Sequence, residues 1–537
     1  MREPAREIAQ KLLRGLLFAG IAGAPALAGA VPGQAQRLGG AEPQGPASRA
    51  LTALHHNPAM LAGMKGFRFQ FGGAGGLDQR WIRREAVMPD GTPTGELGPR
   101  INLNNPLGGY FVGGSLYFEP FAVGIGAYDL GSEIHYTSDD RLRWHLAPEE
   151  DGRPPLFCRR DDPNCKLNGG AATQRTDVTI AVAWNILASL RIGIGVHLPR
   201  LRQRFSYDNS TVLSEDRDDG PRCNRVENPL CAERVGFNGR TRWLPDRDNR
   251  PAGFDVALTF GLAFDLSDRV TIGLRYRTRP LVRGGELTLA GDALVCRPDT
   301  AGGTDSDVLP CTVASPIDAT VTERASREAA LGAAFVLDRG RFWHIDTNLY
   351  WMDLCNDIVG RGAGVRTCAD PGSQQISLVG LDRNSVLLPE SNRYRGYQDL
   401  FGFDIYTTYQ ARSNLAAVLG GHFSSPVVRR GAREAGNSDG WRAGITVGVP
   451  LRVGSSNLQI VPGYGFDLFL PSNTGRPGEF DPAAATRFAA TGGDINSDDA
   501  ALVLAGRGRP SNAGRYTGAM HTFMLTLRWA ERTPGRE

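Results

Sequence analysis

The chain has 537 residues, with 60 basic and 57 acidic side chains, a net charge of +3, 41% hydrophobic residues, 68 Gly and 34 Pro. A mean hydropathy of −0.27 is too low for a bundle of transmembrane helices, each needing about 20 consecutive apolar residues. It suits a membrane β-barrel, in which alternate residues alone need be apolar, and the charge balance, without a basic tract, speaks against a nucleic-acid partner.

Residues 1–30 read as a secretory signal. Arg2, Arg6, Lys11 and Arg14 make a basic start, the apolar stretch Leu16 to Ala30 follows, and Ala28-Gly29-Ala30 offers a small-x-small cleavage site. The mature chain is expected to begin near Val31, and the lack of a Cys near the site speaks against a lipoprotein. Residues 31–66 are not strand-like. The stretch Ala47 to Leu54 has helix-friendly composition and ends at His55-His56-Asn57-Pro58-Ala59, where Pro58 disfavours helix at Asn57. A compact segment ahead of the first strand can enter a barrel lumen as a plug, with Asn57, Pro58 and Ala59 as gate residues; the plainer reading is a turn before a strand.

From residue 67 onward, apolar residues alternate with small or polar ones between turn signals. Val178-Ile180-Val182-Trp184, Ile192-Ile194-Val196-Leu198, Val270-Ile272-Leu274-Tyr276 and Phe523-Leu525-Leu527-Trp529 are the clearest cases. The pattern predicts about fourteen strands, at 67–76, 110–118, 121–137, 174–186, 189–207, 252–266, 269–289, 319–338, 341–353, 394–411, 413–425, 440–453, 457–470 and 515–529. Connections alternate strictly between short (Glu119-Pro120, Leu187-Ala188, Ser267-Asp268, Asp338 to Gly340, Arg412, Gly454 to Ser456) and long. An up-and-down transmembrane barrel has short periplasmic turns on one rim and long loops on the other. The fold class expected is therefore all-β: an antiparallel barrel over 67–529 in the outer membrane of a Gram-negative-type bacterium, with a periplasmic tail at 530–537. Trp184, Tyr276 and Trp529 fit an interfacial aromatic girdle, but each is read more plainly as an ordinary barrel aromatic.

The eight cysteines fall in four tight pairs, Cys158 with Cys165, Cys223 with Cys231, Cys296 with Cys311 and Cys355 with Cys368, each in a polar stretch assigned to a long loop. In an oxidising compartment local disulfides are the economical pairing. Zinc is the rival reading, but these spacings are wider than its ligand motifs and lack His. No H-E-x-x-H, G-x-S-x-G or P-loop appears, so no catalytic residue, metal or cofactor is assigned.

Several segments resemble the FadL/TodX family of outer-membrane proteins that transport long-chain fatty acids and related hydrophobic compounds. Asn57-Pro58-Ala59 is similar to the family's Asn-Pro-Ala hatch motif. Gly253-Phe254-Asp255, Gly261 to Leu266, Leu274 to Thr278 and Gly285-Glu286-Leu287 resemble its strand-turn-strand core, and Gly514-Arg515-Tyr516 with His521 resembles its C-terminal end. The acidic residues that often precede Asn-Pro-Ala in the family are replaced by Ala50 to Leu54, and the chain runs on past Trp529. The resemblance implies a non-enzymatic, passive channel for a hydrophobic small molecule, acting as a monomer amid outer-membrane lipid and lipopolysaccharide. It also implies a ligand path past the hatch and a lateral opening. Alternation places Arg275, Arg277 and Arg279 opposite Ile272, Leu274 and Tyr276, hence on the lumen face, where a guanidinium can hold a fatty-acid carboxylate. A generic polar lining is the plainer alternative. A hydrocarbon channel, an adhesive surface barrel with disulfide-tied loops and a water-filled porin are the competing functions.

Overall fold

In a computed structural model the strands form one continuous antiparallel sheet that closes on itself as a fourteen-stranded barrel. The structure describes residues 40–531 except 88–92, 98–99, 137–168, 211–231, 242–254, 282–285, 297–316, 325, 339–342, 355–374, 381–390, 395–397, 429, 431–432, 434–438, 455 and 475–513. The expected signal segment, the tail beyond Glu531 and Cys158, Cys165, Cys223, Cys231, Cys311, Cys355 and Cys368 therefore lie outside the described residues.

The strands are β1 (Phe67–Val87), β2 (Ile101–Phe118), β3 (Phe121–Tyr136), β4 (Gly169–Leu187) and β5 (Leu190–Ser210). Five interrupted strands follow: β6 (Ala232–Arg240 and Ala257–Ser267), β7 (Val270–Arg277 and Glu286–Cys296), β8 (Ile317–Arg324 and Arg327–Asp338), β9 (Trp343–Asp353 and Gln375–Gly380) and β10 (Ser391–Tyr394 and Leu400–Arg412). The rest are β11 (Leu415–Ser424), β12 (Arg442–Gly448 and Leu451–Arg452), β13 (Leu458–Thr474) and β14 (Gly514–Ala530). The short strand Pro93–Leu97 folds back on the end of β1. Closure is made by β1 and β14, paired from Arg68↔Ala530 to Arg84↔Gly514. In lipid no backbone donor or acceptor finds water, so a spanning sheet must close in this way.

Two-residue alternation assigns the faces. On β4 and β6, Ile180, Val182, Trp184, Phe260, Leu262 and Phe264 are exposed. Their alternates Thr179, Ala181, Ala183, Thr259 and Ala263 are buried toward the lumen. The exposed apolar side chains continue around the wall through Leu274, Leu331, Leu349, Phe403, Leu419, Ile445 and Leu525. This outward band is what acyl chains require. Trp184 stacks on Phe121 with ring centroids 5.8 Å apart, close to the short-turn rim.

Two expectations are corrected. The first two strands run well beyond 67–76 and 110–118, because their upper parts carry polar residues on both faces, including the inward ion pair Arg80–Asp78 at 2.7 Å. The polar stretch before the β6 apolar run and those after the β7 and β9 apolar runs are also not all loop. Ala232–Arg240 pairs with the top of β5, Glu286–Cys296 pairs with Ala232–Arg240, and Gln375–Gly380 pairs with Ile317–Arg324. Cys296 therefore ends a strand, and the stretch holding Cys355 and Cys368 falls between two segments of β9 rather than between β9 and β10.

Candidate functional site

Residues 40–64 lie inside the barrel and are buried almost throughout. The chain forms one helical turn, α1 (Ala53–His56), then a 3-10 segment (Pro58–Gly63) with Asn57 between them. Pro58 supplies the start of the second segment, where its missing N–H is no loss. Leu54, Ala59, Met60, Leu61 and Met64 pack against Phe111, Ala122, Tyr128, Ala181, Ala183 and Ala263 of the wall. These apolar contacts make the plug a core for the barrel rather than a loose tail.

Asn57 is a tie point. Its Nδ2 donates to the Pro46 carbonyl at 2.6 Å and to the Leu262 carbonyl of β6 at 2.9 Å, while its Oδ1 accepts from Ala59 N–H at 3.1 Å. Three more ties hold the plug: Asn185 Nδ2 donates to the Ala62 carbonyl at 3.1 Å, Asn348 Nδ2 donates to the Gln44 carbonyl at 2.8 Å, and Arg528 pairs with Glu42 at 2.5 Å. Glycines on the lumen face make room. A Cβ at Gly193 would lie 2.4 Å from Ala59 N, and one at Gly273 would lie 2.0 Å from the Pro46 carbonyl oxygen.

Above α1 a buried polar layer crosses the lumen. Arg277 of β7 forms an ion pair with Asp177 of β4, donates to Tyr128 of β3 at 2.9 Å, and has Nη1 3.5 Å from His55 Nδ1. Tyr128 also donates to Asp177. His197 of β5 lies 3.4 Å from Asp177 and bonds Thr179 at 2.9 Å and Thr259 at 2.7 Å. Arg275 pairs with Glu328 of β8 at 2.7 Å. Arg279 and Arg327 both donate to Asp353, each at 2.7 Å.

The row Arg275, Arg277 and Arg279 is thus on the lumen side, and each member has a carboxylate partner. Sequence reading found the row but not Asp177, Tyr128, His197 or Glu328. The available signal was parity: each stands at a lumen position between lipid-facing residues, as His197 does between Val196 and Leu198.

His55 packs edge-on against His56, Tyr128 and His197, at centroid separations of 5.0, 4.4 and 5.9 Å. Burial first, and then His56 and the Arg277 and Arg275 charges, hold the His55 imidazole well below its ordinary pKa. Burial and Arg275 push His56 down to about 3, with Glu328 opposing. Both rings are therefore neutral at pH 7.

Gln44, His56, Arg275, Glu328, Trp351 and Leu400 help line a cavity above the plug of 40 Å³. That holds a few waters at most, at roughly 10–15 Å³ for each. His56 Nε2, Arg275 Nε and Gln44 Oε1 are buried there without a hydrogen-bond partner.

Comparison with known proteins places this architecture. No protein-family model matches the chain, and no curated protein matches it. Solved structures do. A Pseudomonas aeruginosa FadL homologue is 13% identical, with a TM-score of 0.61 over 94% of this chain and 99% of its own. The Pseudomonas putida toluene transporter TodX is 12% identical, with a TM-score of 0.56 over 94% and 98%. The Ralstonia pickettii toluene transporter TbuX is 12% identical, with a TM-score of 0.51 over 94% and 99%. The molecule is a transmembrane barrel plugged by its own N-terminal segment. Its fold is that of the FadL and TodX barrels.

Proposed function

We propose that the chain is a passive, non-enzymatic outer-membrane channel for hydrophobic compounds, exported by its signal segment and acting as a monomer. The observation that carries this reading is the docked plug: Asn57 bridges to the β6 backbone, and residues 40–64 are buried inside the barrel almost throughout. A water-filled porin needs an open lumen. A plug held by four polar ties and an apolar face supports a gated path, in which a ligand enters only as the plug shifts.

Long-chain fatty acids are the first candidate cargo. Of the proposed anchors, Arg275 is best placed to meet a ligand, since it lines the upper cavity and keeps an unpartnered Nε–H. Arg277 is consumed by Asp177 and Tyr128, and Arg279 shares Asp353 with Arg327. That saturation, together with the toluene transporters among the matched structures, favours an aromatic or alkane hydrocarbon as the second reading. The four cysteine pairs are proposed as disulfides bracing outer segments; a gel shift on reduction without change of fold tests them.

The deciding experiment is uptake of labelled long-chain fatty acid, and separately of labelled toluene, by cells lacking their own channels and carrying this protein. Restored fatty-acid uptake with no gain in small hydrophilic solute influx is expected, reduced by Arg275→Ala. Uptake of toluene alone would transfer the assignment to hydrocarbons. Uptake of neither by a folded barrel would leave a surface-binding role.

A further inference from the structure

The plug does not fill the lumen evenly. Its 3-10 segment packs on β3 to β6, and at the short-turn mouth on the opposite side two cavities of 260 and 230 Å³ remain, both bordered by Arg452, Gln459 and Arg528. The larger is lined by four arginines: Arg49 from the plug, Arg68 from β1, Arg452 from β12 and Arg528 from β14. Strand parity directs the last three into the lumen, since Gln70, Gly448 and Thr526 share their face and border the plug or the buried interior.

The charge pattern differs from the layer above the plug, where Arg275, Arg277 and Arg279 each meet a carboxylate. The described carboxylates near the four guanidiniums of the lower cavity are Glu42, already paired with Arg528 at 2.5 Å, Asp346, which interacts with the charge of Arg49, and Glu531 at the rim, whose Oε2 accepts from Phe67 N–H at 3.3 Å. The Nε atoms of Arg68 and Arg528 are shielded from solvent and have no hydrogen-bond partner. Crowded cations with idle donors are relieved by an oxyanion, which a guanidinium fork grips through paired bonds. The adjoining 230 Å³ cavity adds Leu415, Ala416 and Pro450 to its polar lining, a place for the first carbons of a chain.

We infer that the arginine cavity at the periplasmic mouth, formed by Arg49, Arg68, Arg452 and Arg528, binds an oxyanion head group, with an attached alkyl chain received by the neighbouring cavity. The site stands on this geometry. It rests on the transport reading for its role: a carboxylate-headed cargo that has passed the plug is held here by its head before release. A free anion such as phosphate shares the head-group chemistry but has no use for the second cavity.

The test is equilibrium binding to the purified full chain in nanodiscs of zwitterionic lipid, with dodecanoate, dodecanol and inorganic phosphate as probes. Dodecanoate is expected to bind, and Arg68→Gln and Arg452→Gln each to weaken it about tenfold or more, the loss of one charge-assisted contact. Dodecanol binding should not respond to either variant. Arg275→Gln, above the plug, should leave the arginine-dependent component intact. Arg452 is exposed, so its variant keeps the test sound if Arg68→Gln folds poorly.

Phosphate binding that falls with both variants and matches dodecanoate in strength would support the oxyanion site and assign it to free anions. Dodecanoate affinity unchanged in both folded variants would overturn the site. Because no uptake is measured, a failed uptake assay with intact arginine-dependent binding would remove the transport reading and leave the site standing. Restored uptake with unchanged binding would do the reverse.

Discussion

Asn57 carries three hydrogen bonds on one side-chain amide, and one of them crosses from the plug to the wall. Asn57→Ala leaves buried carbonyls without a donor, which costs about 1–3 kcal/mol for each group left unsatisfied. The expected outcome is a plug that opens more often, read as faster protease cleavage near residue 57 with the barrel still heat-resistant. Space is as decisive as bonding. Gly273→Ala puts a methyl group 2.0 Å from the Pro46 carbonyl oxygen, whereas Cβ at Gly73 meets nothing within 4 Å. The first should raise leakage of small solutes and the second should not, which single-channel conductance can read. His55 and His56 add a pH dependence. Both pKa values are lowered in the docked plug, while a released plug titrates near its ordinary value of about 6.5. The released form therefore takes up protons first. Docking is at full strength above about pH 6.5 and weakens by about 1.4 kcal/mol per pH unit per histidine below it, for His56 down to about 3. Conductance that rises on acidification, and rises less in His56→Gln, is the expected result; a pH-independent plug would contradict it.

At the scale of elements, Arg277 on β7 and Asp177 on β4 join strands that are not neighbours in the sheet, and they do so through the lumen. Arg277→Ala strands a buried carboxylate and should cost about 3–5 kcal/mol, whereas Arg277→Met with Asp177→Leu should recover most of that loss. Thermal unfolding of the two variants in detergent measures the difference. The lipid-crossing parts of the strands were legible in the sequence because one face must be apolar, as in Ile180-x-Val182-x-Trp184. The upper extensions, such as Ala232–Arg240 and Gln375–Gly380, stand where neither face has that obligation, so their polar sequences look like loop. Plug residues Asn57 to Ala59 were legible through a resemblance rather than a period. The lumen partners of the arginine row were not, because a pairing between β4 and β7 depends on the barrel's curvature, which no local window contains.

For the whole molecule, the outward apolar band sets what the membrane tolerates. Leu262→Arg, at an exposed lipid-facing position, is expected to destabilise the barrel by about 2–4 kcal/mol if near mid-depth, measurable by urea unfolding in liposomes. The same band keeps the polar layer and the plug out of contact with lipid. The seam between β1 and β14 carries a further consequence, for biogenesis. The plug precedes the first strand in the chain, yet it ends up encircled by all fourteen, and the seam that completes the circle joins the first strand to the last. A chain made from its N-terminus cannot form that seam until its final segment is available. The plug is thus walled in by an advancing sheet instead of being threaded into a finished tube, and it can serve during assembly as the surface on which the strands curl.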